Sequence, residues 1–231
     1  MVRVVVGKEY EQMKNLLLLL LLLLTYGGYA QTDADTIHYR KVYYMGGTGL
    51  SFPIGKSKEA LSTKLFAGSM GLDIALKNSD YFLLPTLYLL TFGYDQQIKD
   101  PKYSQMIENG RVSFYMLSLA AGRRKQMKRL NTFVYAGPAF GLVTEPRGNL
   151  VNETIKMENK KSLTPAAKIG LGADYKFPGF FLGAEIGYMH NFRKIEGNAV
   201  QFLTLMVGLK SDITSLSKKV TNVIGVDTYK D

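Results

Sequence analysis

The chain contains no cysteine and no tryptophan among its 231 residues, and only two histidines. Without cysteine there is no disulfide framework, no thiolate metal site, no Cys nucleophile and no lipid-modified N-terminal Cys. No apolar run reaches the roughly 20 residues that a spanning helix needs. The longest, residues 16–24, is unbroken leucine. Helical periodicity is also missing downstream, and Pro85, Pro138 and Pro165 interrupt three of the apolar stretches.

The leucine run has an evident purpose. Lys14 precedes it, small residues follow, and Gly28-Tyr29-Ala30 places Gly at −3 and Ala at −1 of a signal-peptidase site. Residues 1–30 are therefore expected to be an N-terminal extension plus a secretory signal peptide, with Met13 as an ordinary signal start. Residues 31–210 form the folded part, and 211–231 a C-terminal periplasmic tail. An exported chain of about this length is enough for one domain with a real core, or one barrel.

Lys and Arg outnumber Asp and Glu, 29 to 19, for a formal charge of +10. Export makes nucleic acid a poor partner for that charge. Acidic lipid head groups, surface polysaccharide or a simply solvated basic surface fit better. The 15 Tyr and 12 Phe suit strands and interfacial girdles.

Eight runs rich in Gly, aromatic and aliphatic residues follow: 40–54, 63–77, 81–95, 111–122, 131–145, 163–177, 180–192 and 200–210. Four show period two. Phe66, Met70, Leu72, Ile74 and Leu76 alternate with Ser69, Gly71, Asp73, Ala75 and Lys77. Ile169 and Leu171 oppose Lys168, Gly170, Gly172, Asp174 and Lys176, and Leu182, Ile186 and Tyr188 oppose Gly183, Glu185 and Gly187. In the last run Leu203, Leu205, Val207 and Leu209 oppose Thr204, Met206, Gly208 and Lys210. The first, third, fourth and fifth runs alternate poorly, and 81–94 is apolar on both faces, for which a bulge at Pro85 is one explanation. The connectors alternate long and short, with 96–110 and 146–162 the longest.

One apolar face and one small-or-charged face per strand is what a transmembrane barrel requires, lipid outside and a polar interior. Backbone groups in hydrocarbon must all pair, so the sheet closes on itself. The expected fold is all-β: a closed antiparallel transmembrane β-barrel of about eight strands. An even count leaves both chain ends on the periplasmic side.

With its leucine-rich signal ending in Tyr-Ala-Gln and its eight Gly- and Tyr-rich strands, the chain resembles the small outer-membrane β-barrel proteins of Bacteroidota. More loosely, it is similar to the eight-stranded OmpA/OmpX type. The resemblance spans roughly residues 31–210 and implies an outer-membrane location and architecture. It departs in one respect: such barrels often end on an aromatic residue of the last strand, whereas this chain runs on past Lys210.

An eight-stranded barrel is just wide enough for side chains to fill it. Inward charges must then pair. Asp73, Lys77, Lys168, Asp174, Lys176 and Glu185 are accordingly expected to form an interior ionic network, and the inward glycines to allow tight packing. Tyr103, Arg147, Lys156, Lys160 and Lys161 are the expected external-loop contacts. His190 reads as an interfacial girdle residue, and His38, expected on the opposite side of the membrane, cannot work with it. Gly46-Gly47-Thr48-Gly49 mimics a phosphate loop but has Leu50 where the pattern needs glycine. The cluster Arg123, Arg124, Lys125, Lys128 and Arg129 is expected in a short periplasmic turn.

These readings imply no enzyme activity and no cofactor or metal. The partners are outer-membrane lipid and lipopolysaccharide, with surface ligands or envelope proteins at the loops and no nucleic acid. The rivals are a small pore, a lipid-modifying outer-membrane enzyme and a soluble lipocalin-like barrel. The last would turn its apolar faces inward and leave Lys168, Asp174 and Glu185 outside.

Overall fold

A computed structural model of the chain describes residues 42–151, 154–177 and 179–214. The expected signal peptide, His38 and most of the expected C-terminal tail lie outside the described residues. Eight antiparallel strands follow in order: β1 (Val42–Pro53), β2 (Leu61–Ala75), β3 (Tyr81–Tyr94), β4 (Gly110–Met127), β5 (Leu130–Val151), β6 (Thr154–Phe177), β7 (Phe180–Ile195) and β8 (Asn198–Asp212). Each pairs with its neighbours in sequence, and β1 pairs with β8 from Tyr43 opposite Asp212 to Pro53 opposite Phe202, closing the barrel. Closure removes every sheet edge over the paired length.

The two ends differ. At one end, the turn end, β2–β3, β4–β5 and β6–β7 connect through short turns, and β1 begins beside the end of β8, where the Ile213 N–H donates to the Val42 carbonyl. At the other, the loop end, the chain segment between β3 and β4 is the long connection, and β5 and β6 continue as a hairpin paired out to Val151 opposite Thr154.

This corrects several sequence-based boundaries. Residues 146–162, expected as a loop, are mostly paired strand, and β7 runs on to Ile195. Long and short connections consequently alternate less than expected, because two loop-end connections shrink as their strands lengthen. Arg123, Arg124 and Lys125 belong to β4, leaving only Lys128 and Arg129 in the turn. No bulge forms at Pro85: Gly71 faces Thr86 and Ile74 faces Leu83 in one register, and the β2–β3 irregularity lies between Thr63 and Ala67. The apparent phosphate loop is strand β1 followed by a 3-10 turn, Gly55–Glu59.

The expected parity holds in the strands that showed it. Leu171, Ile186, Leu205 and Val207 face outward and exposed, while Asp73, Lys168, Asp174, Glu185 and Thr204 are buried inside. The poorly alternating strands alternate in burial nonetheless. In β3, Phe82, Leu84, Thr86, Tyr88, Leu90 and Phe92 point inward and are buried. Toward the loop end the interior is itself apolar, a core of Leu90, Phe92, Val112, Phe114, Met189 and Phe202 among others. A strand between lipid-type exterior and apolar interior has no period-two signal to read.

Candidate functional site

The interior is filled in layers. Nearest the turn end, Arg124 from β4 donates two bonds to Asp73 of β2, Nη1 to Oδ2 at 3.0 Å and Nη2 to Oδ1 at 2.6 Å. Lys210 of β8 bridges Asp73 at 3.1 Å and Asp174 of β6 at 2.6 Å. Paired planar bonds of this kind give both energy and geometry. Phe82 and Phe133 back the two cations, with the Arg124 guanidinium carbon 4.3 Å and Lys210 Nζ 4.6 Å from the ring centroids.

A second group sits deeper. Lys168 Nζ lies 3.4 Å from Glu185 Oε1, 3.4 Å from the Thr204 hydroxyl and 4.0 Å from the Tyr88 ring centroid. Tyr135 donates its hydroxyl proton to the same Glu185 carboxylate. Among the described residues, three cations and three carboxylates thus meet in these two groups, balanced in charge as a desolvated interior demands. A cavity of ≈ 30 Å³ lined by Asp174, Glu185 and Lys210 among others remains, room for about one water.

Glycine makes this packing possible. A Cβ on Gly187 would stand 2.6 Å from Lys168 Nζ and 2.7 Å from Thr204 Oγ1, and one on Gly170 would run into the Tyr135 hydroxyl. The glycines of β6 and β7 are the space that the β5 aromatics and Lys168 occupy.

Above the ionic layers the apolar core closes the bore. The rings of Phe92, Phe114 and Phe202 contact one another with centroids 5.2 to 5.7 Å apart. At the mouth, buried Arg147 of β5 gathers the loop end. Its Nη1 donates to the Tyr94 hydroxyl at 2.6 Å, and its Nη2 to Glu145 at 2.7 Å and Glu196 at 3.4 Å. Glu196, in the β7–β8 turn, accepts from the Gln97 and Ile98 backbone N–H groups at 3.0 and 2.6 Å, pinning the long loop across the opening. Asp100 of that loop is tied to Lys160 at 2.7 Å. The Lys160 bond, followed by the Lys102 backbone N–H, holds the Asp100 carboxyl below its ordinary pKa.

Of the six expected interior charges, the structure brings Asp73, Lys168, Asp174 and Glu185 into these groups. Lys77 is not among them: it lies past the end of β2 and is exposed, because the strand stops at Ala75. Lys176 is half-buried near the turn end, its backbone N–H donating to the Arg129 carbonyl. Among the expected loop contacts, Lys156 and Lys161 are exposed on the β5–β6 hairpin, Tyr103 and Lys160 are half-buried, and Arg147 is buried. Arg147 is therefore an internal clamp and not a surface contact. His190 faces outward beside Tyr188, whose hydroxyl lies 3.3 Å from Nδ1, and edge-on to Phe192. Among the described residues no group of three metal-ligating side chains comes together.

Sequence reasoning missed Arg124, Lys210 and Tyr135 as network members. For Arg124 the signal was present: Ser118, Ala120 and Gly122 share its parity, and carrying that alternation two residues on would have turned it inward. Tyr135 likewise follows Asn131 and Phe133 on one parity. Glu196 gave no signal, since its role depends on where a distant loop lands.

No protein-family model matches the chain, and no curated protein matches it in sequence. Solved structures match its fold. Neisserial surface protein A is 11% identical over 74% of this chain and 96% of its own, with a TM-score of 0.52. A major outer membrane protein from Thermus thermophilus is 13% identical over 75% of this chain and 99% of its own, with a TM-score of 0.55. The fold of this chain is that of the outer-membrane β-barrels.

Proposed function

We propose that this chain is an integral outer-membrane β-barrel, exported by its leucine-rich signal, that acts by surface contact at its loop end and neither conducts solutes nor catalyses. One observation carries the reading: the wall is apolar outside and charged inside. Leu119, Leu163, Val134 and Ile169, on β4, β5 and β6, are 56 to 59% exposed, while Lys168 and Asp174 are 1 to 2% exposed. Contiguous apolar surface on that scale is foreign to a soluble monomer and suited to hydrocarbon. It is also the reverse of a lipocalin-like barrel. The Phe92–Phe114–Phe202 contact and the neutral ionic layers argue against a pore.

At the loop end the β5–β6 hairpin presents Lys156 and Lys161, with Tyr103 in the adjoining loop, to whatever lies outside: lipopolysaccharide, a surface ligand or another envelope protein. The test is labelling of intact cells with a membrane-impermeant amine reagent, combined with planar-bilayer recording of the purified protein. The expected result is modification of Lys156 and Lys161, protection of Lys77 and Lys125, and no steady conductance. Labelling of the turn-end lysines alone, or stable single-channel steps, would overturn it.

A further inference from the structure

The outward wall is not uniform. On β4 through β7 several outward positions carry only alanine: Ala121 faces Ala136 across β4–β5, and Ala173 faces Ala184 across β6–β7. Larger neighbours, Val134, Leu171 and Ile186, stand between them. Two adjoining grooves of ≈ 1040 and ≈ 470 Å³ result, sharing Arg123, Val134, Leu171 and Ile186 in their linings.

Toward the turn end the groove runs out onto Arg123 and Lys125, two exposed cations on the same outward face of β4. Arg123 is held 5.8 Å from the centroid of the Tyr81 ring, itself outward and 45% exposed. Arg123, Arg124 and Lys125 line the larger groove against the carboxylates of Asp80 and Glu185, and Arg124 and Glu185 are already engaged inside the barrel with Asp73 and Lys168. A solvated basic turn requires no apolar groove above it, and ordinary lipid contact requires no paired cations. Both together, with Arg123 at the head of a row that crosses to Val134, Leu171 and Ile186 on β5, β6 and β7, match a molecule with an acidic head and an apolar tail.

We propose that this groove binds an anionic phospholipid of the turn-end leaflet, its acidic head group between Arg123 and Lys125 and an acyl chain along Val134, Leu171 and Ile186. The inference rests on the membrane reading above. It assigns to the turn end a binding function distinct from the loop-end contacts. Basic residues at an anionic surface favour such a lipid over a zwitterionic one by about tenfold for two cations, allowing for their mutual repulsion.

The full chain, refolded in detergent, is exposed to an equimolar mixture of phosphatidylglycerol and phosphatidylcholine of equal chain length, and the retained lipid is read by native mass spectrometry. Wild type should retain phosphatidylglycerol about tenfold over phosphatidylcholine, and raised salt should weaken that preference. The R123Q/K125Q double variant should lose it, while K156Q/K161Q at the loop end should keep it. Equal retention of the two lipids by wild type, preference unchanged in R123Q/K125Q, or loss in K156Q/K161Q overturns the site. Heat-dependent gel mobility of each sample separates the two readings. A folded, heat-shifting barrel without lipid preference refutes only this site, whereas a wild type that never shifts refutes the membrane barrel and the site with it.

Discussion

Lys210 is the residue on which the turn-end ionic layer depends, and replacing it tests the packed interior. Its side chain is 8% exposed and its ammonium serves two carboxylates, Asp174 at 2.6 Å and Asp73 at 3.1 Å. In Lys210→Met, Asp73 keeps both bonds from Arg124, while Asp174, only 1% exposed, loses the ammonium that lies 2.6 Å away. The two ionic groups also pass from neutral to a net charge of −1. Breaking a buried pair from one side costs about 3–5 kcal/mol, most of it the uncompensated charge that remains. Neutralising both partners should be far milder, so the Asp174→Asn/Lys210→Met pair should cost less than the sum of its singles by about 2 kcal/mol or more. Urea unfolding of the refolded barrel in detergent supplies the free energies, with tyrosine fluorescence as the probe because the chain has no tryptophan. Lys161→Met, at an exposed hairpin position, is the control and should stay within about 1 kcal/mol of wild type. A Lys210→Met protein as stable as that control would refute the sealed ionic interior and imply that water reaches Asp174.

Other expectations follow from the same packing. Gly187→Ala forces a methyl to within 2.6 Å of Lys168 Nζ and should destabilise by about 1–3 kcal/mol in the same titration, whereas Gly46→Ala, with nothing nearer than 3.7 Å, should be tolerated. Glu196→Gln weakens the hold on the Gln97 and Ile98 N–H groups, so hydrogen exchange of residues 95–109 should quicken by roughly 30-fold, for about 2 kcal/mol lost, with the barrel amides unchanged. The Asp100 carboxyl is depressed by Lys160, so its contribution is present above the ordinary carboxylate range and lost as pH falls through the lowered value. Proteolytic nicking of the 95–109 loop should therefore stay constant from neutral pH to about 5 and rise only below the usual carboxylate pKa of about 4. A rise near pH 6 would contradict this.

The sequence carries the barrel where its two faces differ in polarity, and hides it where they do not. Strands β2, β6, β7 and β8 were legible because Asp73, Lys168, Asp174, Glu185 and Thr204 alternate with Leu, Ile and Val. Strand β3 was not, since Phe82, Leu84, Tyr88 and Phe92 inside are as apolar as Leu83, Leu87 and Leu89 outside. Strand ends were misplaced for a related reason. Polar residues such as those at 146–162 look like loop, yet past the rim a hairpin has water on both faces and needs no apolar residue. Arg147 shows the limit for site residues. Its exposure depended on Tyr94, Glu145 and Glu196 converging from two strands and a turn, an arrangement that local pattern does not encode.

The most direct test of the account is the electrophoretic mobility of this protein from the outer-membrane fraction, with and without boiling. A closed barrel sealed by hydrogen bonds around its whole circumference stays folded in cold detergent and changes mobility only once heated. A membrane-bound band that shifts on heating is the expected result. A soluble protein, or a membrane band with the same mobility before and after boiling, would contradict it.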